Sequence, residues 1–318
     1  MLRVQALDFC CTSKSDLRCQ NHAPAGGDRT VPRRQTPTRP MATSILWLVL
    51  ACVSSTCPYP LMDILWSPMV NIHLCAAALG AALLAGCATP SGTSPLTKHV
   101  FAADCADSDT LLVMLPGLHD RAAEMAEHGL VDVVHRSGAG IDVVTVDAHL
   151  GYYKDRTLID RLRRDVIEPA KTSGYSSIWL AGISLGGLGS LLYSQSHPQD
   201  VDRLFLLAPY LGRPSTADLL ESAGGVAAWR SAASRMLVHE ERAWSWLHTL
   251  SRRQADAPEV FLGYGHLDRY AKSHELVADA LPADRVVSVD GGHDWKTWAE
   301  LWQRLGTHRN GFAGTACR

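Results

Sequence analysis

The chain has 318 residues, 30 Lys and Arg against 32 Asp and Glu, a formal charge of −2, and nine cysteines. Both signs of charge are mixed along it and no basic stripe with interleaved aromatics is present, so nothing suggests nucleic acid. No cysteine stands at zinc-site spacing with histidines, so no metal site is indicated. Residues 1–40 are polar, rich in Pro and Arg, and without a period of 2 or 3.6, so they cannot bury a core. Two apolar runs follow, Ile45 to Val53 and Ile72 to Ala85. The second is too short to span a bilayer and reads as the apolar part of a signal peptide. It ends Leu84-Ala85-Gly86-Cys87, with a Ser-, Gly- and Thr-rich stretch from Pro90 to Pro95 beyond it. Residues 1–61 are therefore expected to be non-globular and a mis-assigned start, 62–86 a signal segment, and 87–98 a tether. The alternative makes Ile72 to Ala85 a buried or membrane-associated helix.

Leu84-Ala85-Gly86-Cys87 resembles the signal of bacterial lipoproteins. The resemblance implies cleavage before Cys87, lipid on its sulfur and amine, and a membrane-anchored protein on the periplasmic side of a bacterial envelope. A cytoplasmic location is the alternative. Cys105 and Cys317 then remain as an even pair, which an oxidising compartment could join as a disulfide.

From residue 99 to 318 strand and helix signals alternate. Apolar, Val/Ile/Leu-rich runs predict strands at 110–115, 141–147, 177–183, 202–208, 259–264 and 285–289. They lack polar alternation, as strands buried on both faces should. Helices are expected at 121–136, 156–173, 186–197, 271–281 and 294–305. This pattern predicts an α/β domain, a mostly parallel sheet with helices on both faces. Residues 209–258 interrupt it with helix-like runs at Thr216 to Ser222 and Ala243 to Arg252, a small helical insertion carrying Trp229, Trp244 and Trp246. These tryptophans either line a substrate cleft or pack the insertion onto the body. Trp295, Trp298 and Trp302 recur on one helical face, which reads as core packing.

The strand at 177–183 runs into Gly182-Ile183-Ser184-Leu185-Gly186, and a helix-like run follows at once. A strand, Gly-x-Ser-x-Gly and a helix form a nucleophile elbow, a tight turn that holds a serine out where a base can reach it. Asp268 follows the next-to-last strand and His293, behind Gly291 and Gly292, follows the last. Ser184 is the expected nucleophile, His293 the general base and then acid, and Asp268 the group that orients the imidazole. Asp290 and Asp294 are alternatives for the acid. The N–H of Leu185, next to the nucleophile, and that of Leu118, in the loop after the strand at 110–115, are the expected oxyanion donors. His119 and His266 line the site or sit in solvent. Asp147 faces the cleft or caps a turn.

Together these motifs resemble the α/β-hydrolase superfamily over roughly residues 100–305. Gly291-Gly292-His293-Asp294-Trp295 is similar to the histidine loop of its esterase branches, and Leu115-Pro116-Gly117 stands where many relatives carry His-Gly. The resemblance implies the α/β-hydrolase fold and hydrolysis of a small carboxylic ester or thioester through an acyl-enzyme, without a cofactor. The alternatives are a thioesterase, peptidase or deacetylase with the same triad, or a non-catalytic envelope lipoprotein that uses the fold as a binding module.

Overall fold

A computed structural model describes residues 90–104, 108–229, 237–252, 257–307 and 311–312. The signal segment, Cys87, Cys105 and Cys317 lie outside the described residues. Among the described residues, no helix is long and apolar enough to cross a membrane.

Seven strands form one sheet: β1 Lys98–Phe101, β2 Thr110–Leu115, β3 Ile141–Val146, β4 Ser177–Ile183, β5 Arg203–Leu207, β6 Glu259–Gly265 and β7 Val286–Val289. Their order is β1-β3-β2-β4-β5-β6-β7. All neighbours pair parallel except β1, which runs antiparallel to β3 at the edge. The central strands feed two cores by simple alternation. Leu111, Val113 and Leu115 of β2 enter one, and Leu112 and Met114 the other. On β4, Ile178 and Leu180 face one way, and Trp179, Ala181 and Ile183 the other. Burial on both faces is why these strands are apolar throughout.

The helices are α1 Ala122–Glu127, α2 Leu130–Arg136, α3 Leu150–Lys154, α4 Leu158–Leu162, α5 Glu168–Thr172, α6 Leu185–Ser196, α7 Pro214–Ser222, α8 Val238–Ser251, α9 Ala271–Ala278 and α10 Trp295–Thr307. The single helix expected at 121–136 is two, because Gly129 takes a left-handed backbone with φ 75° between them. The helix expected at 156–173 also divides, with a π-helical turn at Arg163–Ile167 between α4 and α5. Pro169 has no N–H to give the Asp165 carbonyl one turn earlier, and the Lys98 ammonium donates to that carbonyl instead, at 2.8 Å. Residues read as a tether are bonded to this region. The Gly92 N–H donates to Asp155 at 2.8 Å, the Thr157 hydroxyl to the Gly92 carbonyl at 2.7 Å, and the Leu96 N–H to Asp165 at 2.9 Å.

In the insertion, the Trp244 indole donates to the Leu211 carbonyl at 2.8 Å and the Trp246 indole to the Ser194 hydroxyl at 3.0 Å. Trp229 and Trp244 are buried. Trp246 thus ties α8 to α6, and Trp244 ties α8 to the start of the insertion.

Candidate active site

Strand order reverses between β2 and β4, and an open parallel sheet forms its binding crevice at such a point, beyond the carboxyl ends of its strands. The Pro116–Asp120 loop leaves β2 there, and Ser184 leaves β4. Ser184 adopts φ 50° and ψ −111°, a conformation that L residues take only when their surroundings impose it. Its N–H donates to the Leu207 carbonyl at 2.9 Å, and its carbonyl accepts from Tyr210 at 2.8 Å and Gly187 at 3.0 Å. The two motif glycines permit the close approach. A Cβ at Gly182 would run into the Gly186 carbonyl, and one at Gly186 into the Leu115 and Pro116 carbonyls.

The loop after β7 is tied to the loop after β6 by the Leu267 N–H, which donates to the Gly291 carbonyl at 2.9 Å. Neither Gly291 nor Gly292 uses a left-handed backbone. Gly291 instead lies against Thr297, and a Cβ at Gly265 would strike the Gly291 carbonyl, so these glycines provide closeness rather than a special turn.

The result brings three side chains into line. His293 Nδ1 lies 2.6 Å from Asp268 Oδ2, and His293 Nε2 lies 2.8 Å from Ser184 Oγ. An ionised carboxylate only accepts, so Nδ1–H donates to Asp268 and Nε2 is left to accept from the serine hydroxyl. Asp268 Oδ1 accepts the Tyr270 N–H at 2.8 Å. Burial pushes the Asp268 carboxyl up, but the hydrogen bonds from His293 and Tyr270 outweigh it and hold the group below the ordinary carboxylate value. The His293 ring stands edge-on to Tyr270 at 5.3 Å and to Trp298 at 5.1 Å. Its side chain is 11% exposed and that of Asp268 not at all, so water reaches the base but not the acid.

The N–H groups of Leu118 and Leu185 donate to no protein group among the described residues. A Cβ at Gly117 would lie 3.8 Å from the Ser184 Cβ, so the loop carrying Leu118 passes beside the serine. Asp294 accepts from the Thr297 N–H at 2.9 Å and caps α10, and Asp290 is exposed. Asp147 accepts the Ala122 N–H at 2.6 Å, capping the start of α1. His119 and His266 are exposed.

Sequence reasoning did not single out Tyr210, Tyr270, Asp120 or His274. His274 on α9 is fully buried, with Nε2–H donating to the Pro209 carbonyl at 2.9 Å. Burial lowers its pKa to about 4. A cavity of about 510 Å³, lined among others by Leu250, Pro258, Asp284 and Arg285, lies at the opposite end of β6, away from these residues.

Residues 155–305 match the family described as "Putative esterase". No curated protein sequence matches the chain. Among solved structures, the chain is similar to an S-formylglutathione hydrolase from Staphylococcus aureus, at 14% identity and a TM-score of 0.51, over 67% of this chain and 91% of that one. It is also similar to Est1E from Butyrivibrio proteoclasticus, at 16% identity and a TM-score of 0.47, over 66% of this chain and 92% of that one. The fold is that of the α/β-hydrolases.

Proposed function

We propose that the protein cleaves carboxylic esters through an acyl-enzyme on Ser184. One observation carries this reading, the unbroken hydrogen-bonded line from Ser184 through His293 to Asp268. His293 Nε2 takes the serine proton as Oγ attacks the carbonyl carbon, and Asp268 stabilises the imidazolium that forms. The carbonyl oxygen, now anionic, is met by the N–H groups of Leu185 and Leu118. The imidazolium then protonates the departing alcohol. Water enters by the same route in the second half, and its attack releases the acid. All parts come from the chain itself.

The test is Ser184→Ala together with fluorophosphonate labelling. Turnover of a p-nitrophenyl ester should fall about a thousandfold or more while thermal unfolding stays near that of the wild type. The single adduct seen on wild type by intact mass should vanish. A folded variant that still turns over ester would overturn the assignment. We further propose that the protein is exported and lipid-anchored at Cys87, a reading supported by Leu84-Ala85-Gly86-Cys87. Mass spectrometry of the native N-terminus should find a lipid-modified Cys87, and an unmodified Met1 would defeat it.

A further inference from the structure

Asp120 lies in the loop that leaves β2 beside Ser184, and it has no part in the relay. The Trp295 indole N–H donates to its Oδ1 at 3.2 Å, across a sequence separation of 175. Its Oδ2 is packed against Gly117, where any Cβ would collide with it. Its own N–H closes the loop on the Gly117 carbonyl at 3.4 Å. No Lys or Arg pairs with Asp120 among the described residues. A half-buried carboxylate without a cation is costly, and burial does push this carboxyl above its ordinary value, with the indole opposing.

Trp295 is itself fixed. His128 stacks on it with centroids 4.1 Å apart and planes 12° apart, and Trp298 stands edge-on to it at 5.2 Å. The same Trp298 stands edge-on to the His293 ring. One side-chain chain therefore runs from the histidine, through Trp298 and Trp295, to Asp120 and the loop that carries Leu118.

Resting on the serine-hydrolase reading above, we infer that Asp120, clamped by the Trp295 indole, is a positioning residue that sets the Leu118 N–H in register with Ser184 and His293. Such donors act only when aimed at the place where charge develops, so a loosened loop lowers turnover without weakening ground-state binding. The role differs from simple stabilisation of the fold because it depends on an acceptor for one indole N–H.

The experiment uses the full chain as wild type, Asp120→Ala, Asp120→Asn and Trp295→Phe. It reads kcat and KM on a p-nitrophenyl ester, and inhibition by a phenylboronic acid, which forms a tetrahedral adduct on an active serine. Asp120→Ala and Trp295→Phe should each lower kcat about tenfold or more, leave KM within about twofold, and weaken the boronate by a similar factor. Asp120→Asn keeps an oxygen for the indole but turns its amide toward Gly117, so it should recover part of kcat and stand clearly above Asp120→Ala. If Asp120→Ala does not fold, Trp295→Phe carries the test, since it leaves the carboxylate in place. Wild-type kcat in both Asp120→Ala and Trp295→Phe would overturn the inference, as would a loss confined to KM or an equal loss in Asp120→Asn. Those outcomes leave the serine assignment standing. A wild type that neither turns over ester nor takes a fluorophosphonate overturns both.

Discussion

At the elbow, backbone meets backbone. Gly182 faces the Gly186 carbonyl, Gly186 faces the Leu115 and Pro116 carbonyls, and Ser184 is held between Leu207 and Tyr210 by its own N–H and carbonyl. In the insertion after β5, side chains reach across to backbone and to one another. The buried Glu240 accepts from the Arg213 N–H at 3.3 Å, the Leu237 N–H at 3.3 Å and the Thr216 hydroxyl at 3.1 Å. Trp244 and Trp246 add one indole bond each. Peptide groups that touch have no rotamer with which to yield, whereas a side-chain network loses one bond at a time. The elbow should therefore fail all at once and the insertion by degrees.

The largest effect should come from Gly186→Ala. One methyl against two carbonyls cannot be absorbed by a rotamer change, and the cost should be about 3 kcal/mol or more. Urea unfolding measures it, and fluorophosphonate labelling of any folded fraction should be lost as well. A variant as stable and as reactive as wild type would break the contrast, because it would mean that the elbow has slack.

His274 on α9 holds the carbonyl of Pro209, the first residue of the insertion. Its pKa falls from 6.5 to about 4 because burial penalises the charged ring. The folded state therefore refuses a proton that the unfolded state accepts below pH 6.5. The contribution is intact above about pH 6.5 and is lost as pH falls toward 4. At about 1.4 kcal/mol per pH unit this amounts to about 3 kcal/mol. The lowered Asp268 carboxyl loses its contribution only below its ordinary value of 3.8, so it adds nothing between pH 7 and pH 5. Unfolding free energies from urea at pH 7 and pH 5 should differ by about 2 kcal/mol of this, and the difference should shrink in His274→Phe. An unchanged pH dependence in that variant would assign the slope to other groups.

The same division explains what could be read from the sequence. Ser184, Asp268 and His293 each follow an apolar strand, and a parallel sheet gathers such positions at one end, so composition and order were enough. The central strands were legible because burial on both faces removes polar residues from them. β1 was not, because Lys98–Phe101 is a short, largely exposed edge strand with no apolar run. Helix breaks escaped because they depend on single residues, Gly129 and Pro169, inside otherwise helical patterns. The Trp295–Asp120 bond joins segments that no local period relates. Trp295 was read only as part of a core-facing stripe, although Trp298 and Trp302 are buried while Trp295 stays partly exposed beside the site.

Within the insertion the contrast can be graded. Glu240→Gln keeps the shape but turns an amide donor toward groups that themselves donate. The cost should be about 2 kcal/mol, the range for hydrogen bonds to a charged acceptor. Because the elbow is held separately, kcat in the folded variant should stay within about threefold of wild type. A collapse of kcat at unchanged fold would show that the insertion and the elbow are one unit.

Trp246→Phe should be the mildest. It removes one N–H and leaves most of the ring packed on α6. The bond is to Ser194, whose hydroxyl is buried, so the loss is that of one neutral hydrogen bond plus an acceptor left without its donor, about 1 kcal/mol together. A double-mutant cycle with Ser194→Ala isolates it. If the bond is the whole effect, Trp246→Phe should cost almost nothing once Ser194 is already Ala. A cost that persists would mean that the indole acts through packing of α8 on α6. The insertion would then be seated by shape, as the elbow is, rather than by individual bonds.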